Sequence, residues 1–164
     1  METTFQSLAD SCLPLSKAIT VDKISAAQIQ IKSAMICFYS DDWVSTITLA
    51  GAAENMLPQL VEGLDLFNYA KTKIAPAIGL NDTQFISQFN EHRDWLKHPQ
   101  PHMPDRLDFL QFDAALILLR ACTRYFALTQ TKFEELEIFE NWVTKNSVLK
   151  TIAPNALHNE SLMQ

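Results

Sequence analysis

The chain of 164 residues is long enough for one domain and short for two, since domains cluster around roughly 100 to 150 residues. Hydrophobic residues make up 48% of it and charged residues 20%, which excludes the charge-rich composition of disordered chains. A net charge of -6 argues against a protein that grips long nucleic acid through a broad basic surface, so any RNA contact is expected to be local.

Turn-forming residues are scarce, which favours helices over strands. The chain has three glycines and neither an Asn-Gly nor an Asp-Gly pair, so tight hairpins have little material from which to form. Amphipathic helices that have no sheet to cover bury their apolar stripes against one another. We therefore predict an all-α fold, an antiparallel helical bundle of roughly five to six helices.

Signals for export or membrane insertion are not evident in the sequence. No apolar run approaches the roughly 18 residues that span a bilayer, and Met1 to Asp10 lacks the basic start and apolar stretch of a signal peptide. The cysteines are widely spaced and predict reduced thiols rather than disulfides or a zinc ribbon; they are Cys12, Cys37 and Cys122. We expect a cytoplasmic protein without a membrane span.

Three stretches divide the chain. Residues 1–20 carry Pro14 and no sustained hydrophobic period, so they predict a loosely ordered N-terminal arm. Residues 21–144 hold the amphipathic patterns and form the predicted bundle domain. Residues 145–164 have few large apolar side chains and predict a frayed C-terminal tail.

Two amphipathic helices are predicted first. Apolar residues recur at three- and four-residue steps from Ile24 onward, which indicates a helix that ends near Ser40. The second helix starts at Trp43 and kinks or stops near Met56, because Pro58 has no amide proton to donate. Residues suited to cap these helices are Thr20 or Asp22 for the first and Asp41 or Asp42 for the second.

The third and fourth predicted helices are bounded by prolines. A shorter third helix covers about residues 64–74 and ends before Pro76. The fourth carries Phe85 and Phe89 on its apolar stripe and stops at His98, because the residue before a proline is pushed out of helical geometry. Its candidate caps are Asn81 or Asp82.

The last two predicted helices follow a loop that three prolines stiffen. The fifth helix covers about residues 107–129 and keeps its apolar side chains in register over its whole length. Thr131 and Glu134 have the spacing of a capping box, which predicts a sixth helix that runs through Trp142.

A polar flank borders the apolar stripe at the end of the fourth helix. Each helical residue advances by about 100°, so Arg93 falls about 40° from Phe89, inside the arc that faces the core. A guanidinium there must find carboxylates, carbonyls or a bound anion. Trp95 falls about 120° to the other side and is predicted to be exposed. The remaining polar residues lie at about 80° for Lys97, 100° for Asn90 and 140° for Asp94.

The second helix carries a charged residue within its apolar stripe. A run of small residues from Ala50 to Ala53 permits another helix to pack closely. Glu54 falls about 40° from Ala50, so its carboxylate needs a cation if the stripe is buried. Arg93 and Arg120 are the candidate partners, and the sequence leaves the choice between them open.

The segment from Arg93 to His98 resembles a known motif. An arginine, a polar residue directly after it, three more residues and a histidine are similar to the Arg-x4-6-His motif of HEPN domains. In those domains the motif closes a helix late in a small bundle, and another long helix follows, as it does here. A wider pattern also resembles uncharacterised bacterial proteins of this helical type; it comprises Ala52, Ala53, Glu54, Asn90, Arg93, Lys97, His98 and Arg120.

The resemblance implies a chemistry. Active members of the HEPN superfamily are metal-independent endoribonucleases, used in toxin and antiphage systems, that work as dimers without a cofactor. His98 would act as general base or acid on the 2'-hydroxyl chemistry of RNA, and Arg93 would steady the charge that develops on phosphorus. The implied partners are a second copy of the chain, a short RNA segment and a protein partner such as an antitoxin.

The resemblance also implies supporting residues. Asp94 would orient the His98 ring, and Asn90 would hydrogen-bond a phosphate or ribose oxygen. Glu54 would lie behind the catalytic pair if it binds the arginine of the motif. The candidates for direct RNA or phosphate contact are Lys97 and Trp95.

A non-catalytic interpretation of the same residues stays open. Arg93 and Glu54 can form a purely structural ion pair, and His98 can simply cap its helix. The chain would then be a dimeric interaction module or a nucleotide-binding accessory subunit of a nucleotidyltransferase. Catalysis needs Arg93 and His98 exposed together in a cleft, whereas an Arg93 locked by Glu54 favours the module. A metal site is not predicted, because no suitable companions accompany His92, His98 and His102.

Overall fold

The computed structural model describes residues 18–58, 66, 70–77, 79–98 and 100–146, and these residues form helices and connecting turns without a β-strand. A π-helical turn at Ala70–Ile74 leads directly into the third helix. The predicted all-α helical bundle is confirmed. The helices whose bounds lie within the described residues are α1 (Lys23–Tyr39), α2 (Trp43–Met56), α3 (Ala75–Ala77), α4 (Asp82–Lys97), α5 (Gln111–Thr129) and α6 (Glu134–Lys145).

The first two helices begin and end where the local sequence predicts. The Asp22 carboxylate caps α1 by accepting hydrogen bonds from the amides of Ile24 and Ser25, at 2.9 and 3.0 Å. Asp42 caps α2 in the same way through the amide of Ser45. Leu57 is extended, and α2 ends before Pro58 as predicted.

The helix that carries the motif is also bounded as predicted. Asn81 and Gln84 form a reciprocal capping box at the start of α4, with hydrogen bonds of 3.0 and 3.1 Å. At the other end His98 is the C-cap, and its amide donates to the carbonyl of Asp94 at 2.7 Å. The side chain of His98 is exposed.

The third predicted helix differs from the structure where it meets Pro76. Helical geometry continues past residue 74, and α3 contains Pro76 at its second position. The π-helical turn directly before α3 is the kind of local change in helical geometry that accommodates a proline. Residues 59–65 and 67–69 lie outside the described residues, and so do residues 1–17 of the predicted arm and residues 147–164 of the predicted tail.

The starts of the last two helices were predicted wrongly. α5 begins at Gln111 rather than near residue 107, because the Leu110 amide donates to the Asp113 carboxylate at 3.0 Å and marks the first turn. The predicted capping box at Thr131 does not form, since its hydroxyl donates to the hydroxyl of Thr129 at 3.0 Å. α6 starts after Phe133 and extends three residues beyond Trp142, to Lys145.

α5 is the central helix of the core. Every residue from Ala114 to Phe126 is buried, as expected for a helix that neighbours cover on all sides. α1 and α2 pack against each other and against α5, and α4 packs on the face of α2. This arrangement buries Arg120 and Arg124 of α5 next to the α2–α4 seam.

A helix that crosses a membrane must be long and continuously apolar. Within the described part of the chain, no helix combines the length and the apolar character that crossing a bilayer requires.

Candidate functional site

The carboxylate of Glu54 is the centre of a buried ion cluster between α2, α4 and α5. Its side chain is only 2% exposed. Oε1 accepts hydrogen bonds from Nε and Nη2 of Arg120, at 3.1 and 2.8 Å, and Oε2 accepts one from Nη1 of Arg93 at 3.2 Å. Glu54 therefore binds both of the arginines that the sequence offered as alternatives.

A third arginine completes the cluster. Nη1 of Arg124 donates to the backbone carbonyl of Glu54 at 3.0 Å, and its Nη2 lies 3.4 Å from Oε1. Burial lowers the pKa of Arg120, the charges of Arg93 and Arg124 act in the same direction, and the Glu54 carboxylate opposes them. Guanidinium groups stay protonated in proteins, so the cluster holds an excess of positive charge.

Arg93 is held on two sides but remains open to solvent. Its Nε and Nη2 both donate to Oδ1 of Asp94 at 3.2 Å, in addition to the bond from Nη1 to Glu54. Its side chain is 17% exposed, whereas that of Arg120 is 3% exposed. A guanidinium has five N–H donors, so two donors of Arg93 have no partner in the described part of the chain.

Gly51 makes room for the motif. A Cβ atom at this position would lie 3.0 Å from both Cγ and Cδ of Arg93 and 3.3 Å from Nζ of Lys97. The arginine stem therefore crosses α2 at the one residue without a side chain. The small-residue run predicted close packing, but only the structure shows which side chains occupy the space.

Lys97 lies beside Arg93 over the same glycine. Burial lowers the pKa of the Lys97 ammonium, the charge of Arg93 lowers it further, and the carboxylates of Glu54 and Asp94 partly offset both. Within the described residues the ammonium makes no salt bridge. Two cations are thus held side by side at the solvent edge of the α2–α4 seam.

Two supporting residues differ from their predicted roles. Asn90 is buried, and its Oδ1 accepts a hydrogen bond from Nη1 of Arg120 at 2.9 Å. It therefore stabilises the ion cluster, whereas the prediction placed it against a phosphate or ribose oxygen. The Asp94 carboxylate holds Arg93, and Asp94 meets His98 through its backbone carbonyl. The predicted orientation of the His98 ring by Asp94 is not what this arrangement shows.

The prediction that Trp95 is exposed was wrong. Its indole Nε1 donates to the carbonyl of Pro104 at 2.7 Å, and its ring meets Phe109 edge to face with centroids 5.8 Å apart. The proline-rich loop folds back along α4 and half-buries the ring. A helical projection cannot show this return, because it contains one helix only.

The three candidate histidines do not converge. His92 Nε2 lies 2.9 Å from the carbonyl of Asp108 and 3.3 Å from Oδ2 of Asp113, so it joins α4 to the start of α5. His98 is exposed at the end of α4, and His102 lies in the loop. Among the residues that the structure describes, no group of three or more His, Cys, Asp or Glu side chains is placed to hold a metal ion.

A cavity on the outer face of α4 was not predicted from the sequence. It has a volume of about 280 Å³ and lies between the helix and the returning loop. Asp94 belongs both to this cavity and to the ion cluster. The lining residues are Ser87, Glu91, Asp94, Trp95, His102, Met103 and Pro104.

Comparisons of the chain with protein-family models, with curated proteins and with solved structures gave no match. The HEPN resemblance of the segment from Arg93 to His98 therefore stays a prediction.

Proposed function

We propose that the protein is an HEPN-like, metal-independent endoribonuclease of toxin or antiphage type that acts as a homodimer in the cytoplasm. The observation that carries the proposal is the pair of adjacent cations, Arg93 and Lys97, at the solvent edge of the α2–α4 seam. The exposed His98 follows directly in the sequence. This combination suits a phosphodiester, which needs cations for its oxygens and an imidazole for its protons.

The charge balance at the seam favours an anionic ligand. Arg93, Arg120, Arg124 and Lys97 supply four positive charges, whereas Glu54 and Asp94 supply two negative ones. Placing like charges together in a partly desolvated site costs free energy, and a bound phosphate would offset that cost. The overall charge of -6 limits the attraction to a short stretch of backbone.

The proposed reaction uses the nucleophile that RNA carries. An imidazole at position 98 removes the proton from a 2'-hydroxyl, whose oxygen attacks the adjacent phosphorus while the bond to the 5'-oxygen breaks. The leaving oxygen takes up a proton, and the products end in a 2',3'-cyclic phosphate and a 5'-hydroxyl. Arg93 and Lys97 stabilise the extra negative charge on the phosphorus centre, without a metal ion.

The dimer and a protein partner belong to the same proposal. In a homodimer of this type the motifs of the two copies face each other, so one copy of His98 can supply the base and the other the acid. An antitoxin-like partner would act by covering Arg93 and Lys97. Sedimentation of the purified protein tests dimerisation, because a homodimer has twice the mass of a single chain.

Cleavage of a mixed RNA pool in the presence of EDTA tests the proposed function. Wild type is expected to cleave the pool, and His98→Ala and Arg93→Ala are expected to lose at least 100-fold in rate, in keeping with the usual size of acid–base and electrostatic contributions (roughly 10² to 10⁴). Lys145→Ala, at an exposed lysine on α6, serves as the control. Circular dichroism confirms that every variant is folded. An intact pool after incubation with wild type, or equal cleavage by His98→Ala, contradicts the proposal.

One observation favours a second candidate function. Arg93 is bound to the buried Glu54, which is the arrangement expected of a structural ion pair in a non-catalytic interaction module. Under that alternative the wild type leaves RNA intact, and Arg93→Ala changes the stability or self-association of the protein and nothing else. The same cleavage and sedimentation experiments therefore distinguish the two functions.

A further inference from the structure

The cavity beside the motif presents open hydrogen-bond acceptors. Glu91 and Asp94 are three residues apart on α4 and share the same face of the helix. Arg93 uses only Oδ1 of Asp94, so Oδ2 and both oxygens of Glu91 make no hydrogen bond with any described residue. Ionised carboxylates accept hydrogen bonds and cannot donate them, so a ligand in this cavity must bring donors.

The cavity also contains a fixed aromatic ring. The hydrogen bond from Trp95 to Pro104 and the edge-to-face contact with Phe109 hold the indole in one orientation. His102 contributes a second flat ring from the loop. Aromatic side chains next to hydrogen-bonding groups are the usual setting for an unstacked RNA base. A rigid indole loses little conformational entropy when it binds a base, so the free-energy cost of binding is smaller.

We propose that this cavity binds guanine, so that the enzyme cleaves RNA at guanosine; the inference rests on the proposed ribonuclease function. Guanine is the RNA base whose Watson–Crick edge places two donors side by side, N1–H and the N2 amino group. The Glu91 carboxylate, whose two oxygens are both open, accepts both at once. Adenine and cytosine place a ring acceptor beside their amino group, and uracil places two carbonyls beside N3–H, so each would face a carboxylate with an acceptor.

The cavity is near enough to the motif for one nucleotide to reach both. Asp94 precedes His98 by four residues, which is about 6 Å along the helix axis. Asp94 lines the cavity and also binds Arg93 through Oδ1. One side chain therefore contacts both the proposed base site and the proposed phosphate site. Base recognition would thereby place the sugar and its 2'-hydroxyl next to His98.

Nucleoside binding tests the cavity without any need for catalysis. The probe is the indole N–H signal of Trp95 in nitrogen-15 NMR spectra, assigned by its loss in Trp95→Phe. Titration with guanosine is expected to shift this signal and to give an affinity at least tenfold higher than that of adenosine, cytidine or uridine. The same difference is expected from inosine, which lacks the N2 amino group. Glu91→Gln is expected to lose at least tenfold in guanosine affinity. The matched control Glu137→Gln, an exposed glutamate on α6, is expected to bind as wild type does.

Specific outcomes overturn the inference, and they differ from failure of the proposed function. Equal shifts by all the nucleosides, or guanosine affinity unchanged in Glu91→Gln, overturn guanine binding. An argininamide shift as strong as that of guanosine also overturns it, in favour of a basic side chain from a protein partner. RNA cleaved at all four bases alike overturns the specificity while the ribonuclease function stands. Guanosine binding without RNA cleavage supports the cavity while the ribonuclease function fails.

Discussion

Arg93 crosses α2 at Gly51, where its Cγ and Cδ pass 3.0 Å from the place that a Cβ would take. The two ends of the arginine are fixed, since its backbone belongs to α4 and its guanidinium is bound to Glu54 and Asp94. The stem therefore has little freedom to move aside. The absence of a side chain at Gly51 is therefore needed to accommodate Arg93, and α2 itself does not need a glycine there.

A double-mutant cycle between these residues tests this contact. An exchange of glycine for alanine inside a helix ordinarily stabilises by about 0.5 to 1 kcal/mol. Gly51→Ala is expected to lose this gain or to destabilise, because the new methyl group meets the arginine stem. In the Arg93→Ala background the gain is expected to return. Urea unfolding measures all four proteins, and an equal gain in both backgrounds would show that the contact is not restrictive.

Removal of the central carboxylate is expected to cause the largest loss of stability in the cluster. Glu54→Gln leaves Arg120 buried without its charged partner, and breaking a buried pair on one side costs about 3 to 5 kcal/mol. The neighbouring Asn55→Ala, at an exposed position, is the control and is expected to change little. Urea unfolding monitored by circular dichroism gives both values. A loss below about 1 kcal/mol for Glu54→Gln contradicts a central role for this carboxylate.

The charged ammonium of Lys97 is expected to destabilise the folded protein. Burial and the charge of Arg93 lower its pKa below the ordinary value of 10.5, so the folded protein disfavours the charged ammonium. Lys97→Gln should therefore stabilise at neutral pH, by less than about 1 kcal/mol because the side chain is only partly buried and solvent screens its charge. It should also weaken the binding of a non-cleavable 2'-O-methyl RNA, whereas Lys145→Gln should leave binding unchanged.

The sign of the pH dependence follows from the same shift. Between the lowered folded-state pKa of Lys97 and 10.5, the unfolded chain binds more protons than the folded one, so this group makes stability rise with pH. The advantage of Lys97→Gln is complete below that range and disappears above it. Unfolding experiments between pH 7 and pH 11 measure it. An advantage that does not change with pH would contradict the assignment to the ammonium.

Helix boundaries were predictable where the signal is local. The stops near Pro58 and at His98 were predicted directly, and the caps Asp22 and Asn81 were each one of two candidates. All four depend on residues within about one turn, which the local sequence contains. The start of α5 depends on which side chain satisfies the Leu110 amide, and more than one arrangement fits the sequence there.

The site was predictable only in part, for a similar reason. Helical periodicity placed Arg93 toward the core and Glu54 within an apolar stripe, and the structure pairs them. Periodicity has no information about a loop that returns, so Trp95 was assigned to solvent and the cavity was missed. Asn90 was predicted to hydrogen-bond a ligand, whereas the structure pairs it with Arg120. This pairing could not be predicted from α4 alone, because the burial of Arg120 depends on the packing of α5.

The measurement that tests the ribonuclease mechanism most directly compares a mixed RNA pool with its fully 2'-O-methylated counterpart, each incubated with the wild-type protein in EDTA. The proposed mechanism predicts that the RNA is cleaved to fragments ending in 2',3'-cyclic phosphate and 5'-hydroxyl, while the methylated pool stays intact because its nucleophile is blocked. Intact RNA, or equal degradation of both pools, would contradict catalysis by Arg93, Lys97 and His98 at a phosphodiester.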